Sequence, residues 1–130
     1  MILNCALRRA VRYFPNNTAT IHEGRKQTYR ELWERGRALW KALSELGAQR
    51  GDRIAIYLLN SPQFLEVVYA CFEIGAVVVP LNTRLAADEL VFIINDADCV
   101  AFITDETLQP LAASFSPRLQ GINRYVAING

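Results

Sequence analysis

The chain has 130 residues, enough for one domain with a true core. It is 52% hydrophobic and 21% charged with a net charge of +1, an ordinary balance for a globular domain that implies no strong pull toward nucleic acid. Three cysteines, Cys5, Cys71 and Cys99, lie far apart without C-x-x-C spacing, which argues against a disulfide framework or a zinc site and for thiols kept reduced in a cytoplasmic setting.

The opening stretch, "MILNCALRRAVRYF", carries Arg8, Arg9 and Arg12, and no acid appears before Glu23. Targeting peptides and membrane-surface helices share that pattern, but the segment is short and poor in serine, so an ordinary first helix with solvated arginines is the reading. Thr18 to Tyr29 predicts a small hairpin: Ile21 alternates with polar residues, and Glu23-Gly24 suits a tight turn. Thr28 and Glu31 form an S/T-x-x-E capping box that opens a helix ending near Leu46, with Gly47 as its stop. Leu32, Gly36, Leu39, Leu43 and Leu46 share one face of it, widened by Trp33 and Trp40. A helix packed on a sheet fits this better than a coiled coil.

Arg53 to Leu59 reads as a strand, Pro62 to Ile74 as a helix ended by Gly75, and Ala76 to Pro80 as a β-branched strand. The apolar stretch from Phe64 to Leu81 has the length of a bilayer span. Glu66 and Glu73 lie inside it, however, and Gly75 and Pro80 break it, so it predicts a buried helix–strand pair. A helix follows over Ala87–Asn95, with Asp88 and Glu89 in its positive first turn. Then come a strand at Cys99–Thr104, a weaker helix at Glu106–Ala113 and a strand at Arg124–Ile128. No repeat, low-complexity tract or linker interrupts the order. Short apolar strands alternating with helices predict an α/β, Rossmann-like three-layer sandwich with a mostly parallel sheet, preceded by an N-terminal helix and a small β-hairpin, as one domain over residues 1–130.

In such sheets ligands gather where strands end, which directs attention to "NSPQF" after Leu59. That turn has no glycine to let backbone approach a pyrophosphate, and neither G-x-G-x-x-G nor G-x-x-x-x-G-K-[ST] occurs. The two lysines, Lys26 and Lys41, read as solvated surface charges, Lys41 beside Glu45. His22 is the sole histidine. Its neighbour Glu23 points to the opposite face if both lie in a strand, which precludes a dyad. Asp96 and Asp98 mark a helix end with no third ligand near, and Cys71 has nothing beside it to lower its pKa. Ser61 reads as a side-chain N-cap ahead of Pro62. Asn60 and Ser61 remain as the substrate-binding candidates, because strand C-terminal ends face ligands. No residue is assigned to catalysis, to cofactor binding or to a metal.

Taken in order, "TYREL", "GDRIAIYLLNSPQF", "ACFEIGAVVVPLNTRL" and "ADELVFIINDAD" followed by a strand make the stretch from Leu7 to Asp105 resemble the N-terminal region of AMP-forming acyl-CoA synthetases. "VVVPLNTRL" points to the fatty-acyl or aryl-acid CoA ligase branch. The resemblance implies a reaction in which a carboxylate attacks ATP to give an acyl-adenylate and pyrophosphate, after which coenzyme A displaces AMP. ATP, Mg2+ and CoA are therefore implied for the full-length enzyme. The family's parts for this are a Ser/Thr/Gly-rich loop ending in Pro-Lys-Gly, an aromatic-Gly-x-Thr-Glu segment, a ribose-binding Asp and a C-terminal lysine. None occurs between Met1 and Gly130.

The expectation is therefore a structural part of a larger ligase, truncated before the phosphate loop and not catalytic alone. Its partner would be the remainder of the ligase or a sister subunit, and apolar surface left bare would drive self-association. A non-catalytic interaction module, the remnant of a truncated gene and an unrelated small nucleotide-binding domain stay open as alternatives. One position departs from the family: Ala86 and Ala87 stand where a Thr or Ser cap is common. That loss costs about 1 kcal/mol unless Asn82 or Thr83 serves the free amides.

Overall fold

The computed structural model describes residues 2–128, with side chains from Ala6 onward. The elements run α1 (Ile2–Tyr13), β1 (Thr18–His22), β2 (Arg25–Thr28), α2 (Tyr29–Glu45), β3 (Arg53–Tyr57), α3 (Pro62–Ile74), β4 (Val77–Pro80), α4 (Ala87–Asp96), β5 (Ala101–Asp105), α5 (Gln109–Phe115) and β6 (Arg124–Ile128). Four strands form one parallel sheet in the order β4-β3-β5-β6. The chain enters at β3, steps outward to β4, then crosses back to β5 on the other side. This reversal makes the C-terminal ends of β3 and β5 the switch point of the sheet.

Side chains alternate across a strand, and the register sorts them onto two faces. Ile54, Ile56, Ala101 and Ile103 face α2 and α3, packing with Leu43, Val67, Ala70 and Cys71. Ala55, Tyr57 and Phe102 face α4 and α5, packing with Leu90, Ile94, Ala112 and Phe115. Helices cover both sides, so the three predicted layers are present. Tyr57, Phe102 and Phe115 make tilted or edge-on contacts with centroids 5.8 to 6.1 Å apart, the geometry that aromatic quadrupoles favour.

A smaller cluster of Leu7, Leu32 and Tyr69 joins α1 to α2 and α3, with Val11, Ala19 and Trp33 against it. Leu7 and Val11 of α1 are thus packed on the core. Arg8 reaches across to Glu73 at 2.6 Å, while Arg9 and Arg12 are exposed. The stretch once legible as a possible span divides into the 13-residue α3 and β4, and among the described residues no helix is long and apolar enough to cross a membrane.

β1 and β2 form their own antiparallel hairpin, separate from the main sheet. Glu23 (φ 50) and Gly24 (φ 78) give the paired left-handed dihedrals of the turn whose twist matches a two-residue hairpin. The predicted capping box is present: Thr28 Oγ1 accepts from the Glu31 amide at 3.1 Å, and Glu31 Oε1 accepts from the Thr28 amide at 3.0 Å. The Thr28 amide first, and the Thr28 hydroxyl second, pull the Glu31 carboxyl below its usual range. Along α2, Leu32, Gly36 and Leu43 are buried as the spacing predicts. Leu46 lies past the last turn and is 54% exposed.

Several boundaries differ for local reasons. β3 stops at Tyr57 instead of Leu59, because its neighbours run out of partners: Pro80 pairs with Ile56 and Thr104 with Tyr57. α5 begins at Gln109 instead of Glu106, because Asp105 Oδ1 accepts from the Leu108 amide at 2.8 Å and holds the intervening residues in a turn. At α4, Asn82 does not supply the missing cap, since its Oδ1 accepts from the Arg84 amide at 2.9 Å, upstream of the helix. Ala86 has no side-chain acceptor, and Glu89 Oε1 accepts from the Ala86 amide at 3.3 Å, which is half of a capping box.

Candidate functional site

Asn60 and Ser61 lie at the C-terminal end of β3, on the switch-point side of the sheet. Asn60 is exposed and Ser61 half-buried. Ser61 does occupy the N-cap position of α3, with extended backbone (φ −158, ψ 169), but it is not the side-chain cap that its sequence context predicts. Its hydroxyl turns back and donates to the Leu59 carbonyl at 3.2 Å. Two features lower the need for a side-chain cap: Pro62 has no amide hydrogen to satisfy, and the Phe64 amide bonds the Ser61 carbonyl at 3.0 Å.

The switch-point crevice is bridged by a carboxylate. Asp105, at the end of β5, accepts from the Leu59 amide through Oδ2 at 3.1 Å, while Oδ1 takes the Leu108 amide. One side chain thereby ties the loop after β3 to the loop after β5, at the place where a nucleotide would sit in a doubly wound sheet. Burial first, and the charge of Asp105 second, push the nearby Tyr57 phenol above its ordinary value. Asp105 escaped the sequence reading. The available signal was an acid ending an apolar strand, three residues before a turn amide.

The hairpin roofs a cleft of about 310 Å³ beside this loop, lined by Thr20, Ile21, His22, Asn60, Ser61 and Phe64 among others. Spatial folding thus brings His22 and both candidates into one cleft, but Ser61 bonds a carbonyl and not the imidazole. His22 and Glu23 also differ from expectation. The strand ends at His22, and the left-handed φ of Glu23 swings its carboxylate to 3.8 Å from His22 Nε2 instead of to the opposite face. With the Glu23 side chain 84% exposed, that contact is weak.

A second, polar cleft of about 190 Å³ adjoins the first, lined by Arg25, Lys26, Gln27, Arg35 and Glu66 among others. Glu66 is a carboxylate with only 6% of its side chain exposed, on a largely apolar helix. Its Oε2 accepts from Gln27 Nε2 and from Arg35 Nε, both at 2.8 Å, and Thr20 Oγ1 donates to Gln27 Oε1 at 3.1 Å. The lone acid in "QFLEVV" was the visible signal for such a hub, but its partners stand 31 and 39 residues away in sequence.

The remaining sequence candidates hold no chemistry together. Lys26 and Lys41 are exposed. Cys71 and Cys99 are buried free thiols, and desolvation pushes Cys71 up to about 12. The Cys5 side chain lies outside the described residues. Asp98 takes a left-handed φ of 54 just beyond α4, and among the described residues no group of three or more His, Cys, Asp or Glu stands ready for a metal.

The family model for the AMP-binding enzyme matches residues 7–127. The chain is 39% identical over 112 residues to a feruloyl-CoA synthase of Amycolatopsis sp, covering 85% of this chain and 23% of that protein. It is 36% identical over 92 residues to a 2-succinylbenzoate–CoA ligase of Bacillus cereus, covering 71% and 19%. The chain thus spans about a fifth of the length of these curated relatives. Among solved structures, the inhibitor-bound N-terminal domain of FACL13 from Mycobacterium tuberculosis superposes with a TM-score of 0.88 at 26% identity, over 97% of this chain and 33% of that one. The chain belongs to the AMP-binding enzyme family, and it matches an N-terminal portion of that family's acyl-CoA ligases.

Proposed function

We propose that these residues are a scaffold within the N-terminal domain of an ATP-dependent acyl-CoA ligase, which joins a carboxylic acid to coenzyme A and releases AMP and pyrophosphate. In this reading residues 1–130 are one subdomain, and ATP, Mg2+ and CoA are bound by parts of the ligase that follow. The observation that carries it is the Asp105 bridge. The crevice where an open α/β sheet would hold a nucleotide is bridged by a carboxylate, whose negative charge repels phosphate. We place the ligase in the cytoplasm, in keeping with the free buried thiols Cys71 and Cys99. Acid-dependent exchange of labelled pyrophosphate into ATP tests the reading. A preparation carrying the whole ligase is expected to exchange and the 130-residue chain alone to be silent. Exchange by the chain alone overturns it.

Asn60 and Ser61 border the substrate cleft in this reading, since both lie at the strand's C-terminal end. Asn60→Ala in the whole ligase is expected to raise KM more than it lowers kcat. If neither constant changes, the assignment is withdrawn.

A second reading, a module that pairs with a sister subunit, is favoured by one surface. Phe64, Val68, Phe72, Val77 and Pro80 line an apolar groove of about 530 Å³ along α3 and the open edge of β4.

A further inference from the structure

We propose that the β1–β2 hairpin is a separately opening flap, latched to the body of the domain by the carboxylate of Glu66. The hairpin belongs to no larger sheet, so no backbone ladder ties it to β3–β6. Its apolar anchorage is slight: Ile21 is 68% exposed, Arg25 and Lys26 are exposed, and Ala19 is its one residue packed in the cluster around Leu7, Leu32 and Tyr69. At its base the Tyr29 amide bonds the Asn17 carbonyl, the Arg30 amide bonds the Pro15 carbonyl and Thr28 caps α2, leaving residues 18–27 as the part that can lift.

What holds that part down is polar. Gln27 Nε2 donates to Glu66 Oε2, and Thr20 Oγ1 donates to Gln27 Oε1, which fixes the orientation of the amide. The same carboxylate oxygen takes Arg35 Nε, so one buried atom joins hairpin, α2 and α3. A latch of one hydrogen bond to a charged group, its amide oriented by a second bond within the hairpin, is strong while intact, yet it releases as a unit with little apolar surface exposed. The sheet, by contrast, opens only when both of its covered faces do. When the flap lifts, it uncovers the wall that Pro62, Phe64 and Leu65 form beside Asn60 and Ser61.

Hydrogen exchange on the 130-residue chain, read by mass spectrometry on peptides from the hairpin and from β3 and β5, tests this independently of any part in ligation. Hairpin amides are expected to exchange faster than those of β3 and β5. Glu66→Gln, which keeps the shape and removes the charge, is expected to speed hairpin exchange about tenfold and leave β3 and β5 unchanged. Gln27→Ala cuts the latch from the hairpin side while sparing the Arg35 pair, and it decides the matter if Glu66→Gln does not fold. Equal acceleration of hairpin and sheet marks Glu66 as a general stabiliser and overturns the proposal. Unchanged hairpin exchange overturns it as well.

Discussion

At the scale of single residues, burial decides chemistry. Cys71 is a thiol in an apolar interior with no cation near it, so desolvation keeps it protonated and inert. Native protein is expected to resist alkylation at Cys71, and denatured protein to react fully, as peptide mapping after iodoacetamide would reveal. The same shift has a linkage consequence. The folded thiol holds its proton up to about pH 12, whereas the unfolded one releases it near its ordinary 9.0. The folded state therefore binds more protons in that window, and stability falls as pH rises above 9.0. Urea midpoints measured across alkaline pH are expected to decline, with a weaker decline in Cys71→Ala after allowance for its lower starting stability. Glu31 runs in the opposite sense. Its carboxyl is held below the usual range, so its capping contribution is complete above the ordinary Glu pKa and is lost as pH falls through the depressed one.

At the scale of elements, one close approach governs the packing of α2 on α3. A Cβ at Gly36 would lie 2.4 Å from Tyr69 Cδ1, and Tyr69 is itself only 4% exposed. Alanine is the better helix former by about 1 kcal/mol. Overpacking a buried contact costs about 1–3 kcal/mol, and here the neighbour that must shift is a buried ring. Gly36→Ala is therefore expected to lower stability, as a reduced denaturant midpoint with an unchanged m-value. A rise in midpoint would mean that Tyr69 is free to rotate away. The spacing in the sequence put Gly36 on the buried face of its helix. It gave no sign that an aromatic ring 33 residues later would occupy the space above it.

At the scale of the molecule, the two edges and the apolar groove of the sheet stay uncovered. Val77 is 47% exposed and Tyr125 52%, one on each edge strand. Edge strands with apolar side chains invite pairing with another chain. The 130-residue chain is expected to self-associate at concentrations of the order of tens of micromolar, the range where exposed apolar surface usually aggregates. Light scattering checks this. A monodisperse monomer there would show that the groove along α3 and β4 is too small or too shallow to drive association, and it would weaken the reading as a pairing module.

What the sequence determined by itself is local. Apolar runs, helical spacing and Gly and Pro signals located the strands and α-helices, though not the 3-10 turn at Ser116–Arg118, and Thr28-x-x-Glu31 and Glu23-Gly24 specified a cap and a turn whose bonding is complete within a few residues. The strand–helix alternation then left a parallel, three-layer sheet as the arrangement that buries both strand faces. Tertiary structure alone decided which polar groups meet. Asp105 binds an amide 46 residues earlier, and Arg8 finds Glu73 across 65 residues. Glu66 gathers donors from two other elements, and the Ser61 hydroxyl turns back to the Leu59 carbonyl where its neighbours lower the need for a cap. The physical reason is one of range. Backbone periodicity and caps are set by neighbours within a turn or two, whereas a side-chain hydrogen bond needs both partners placed within about 3 Å, which only the packed sheet and helices accomplish.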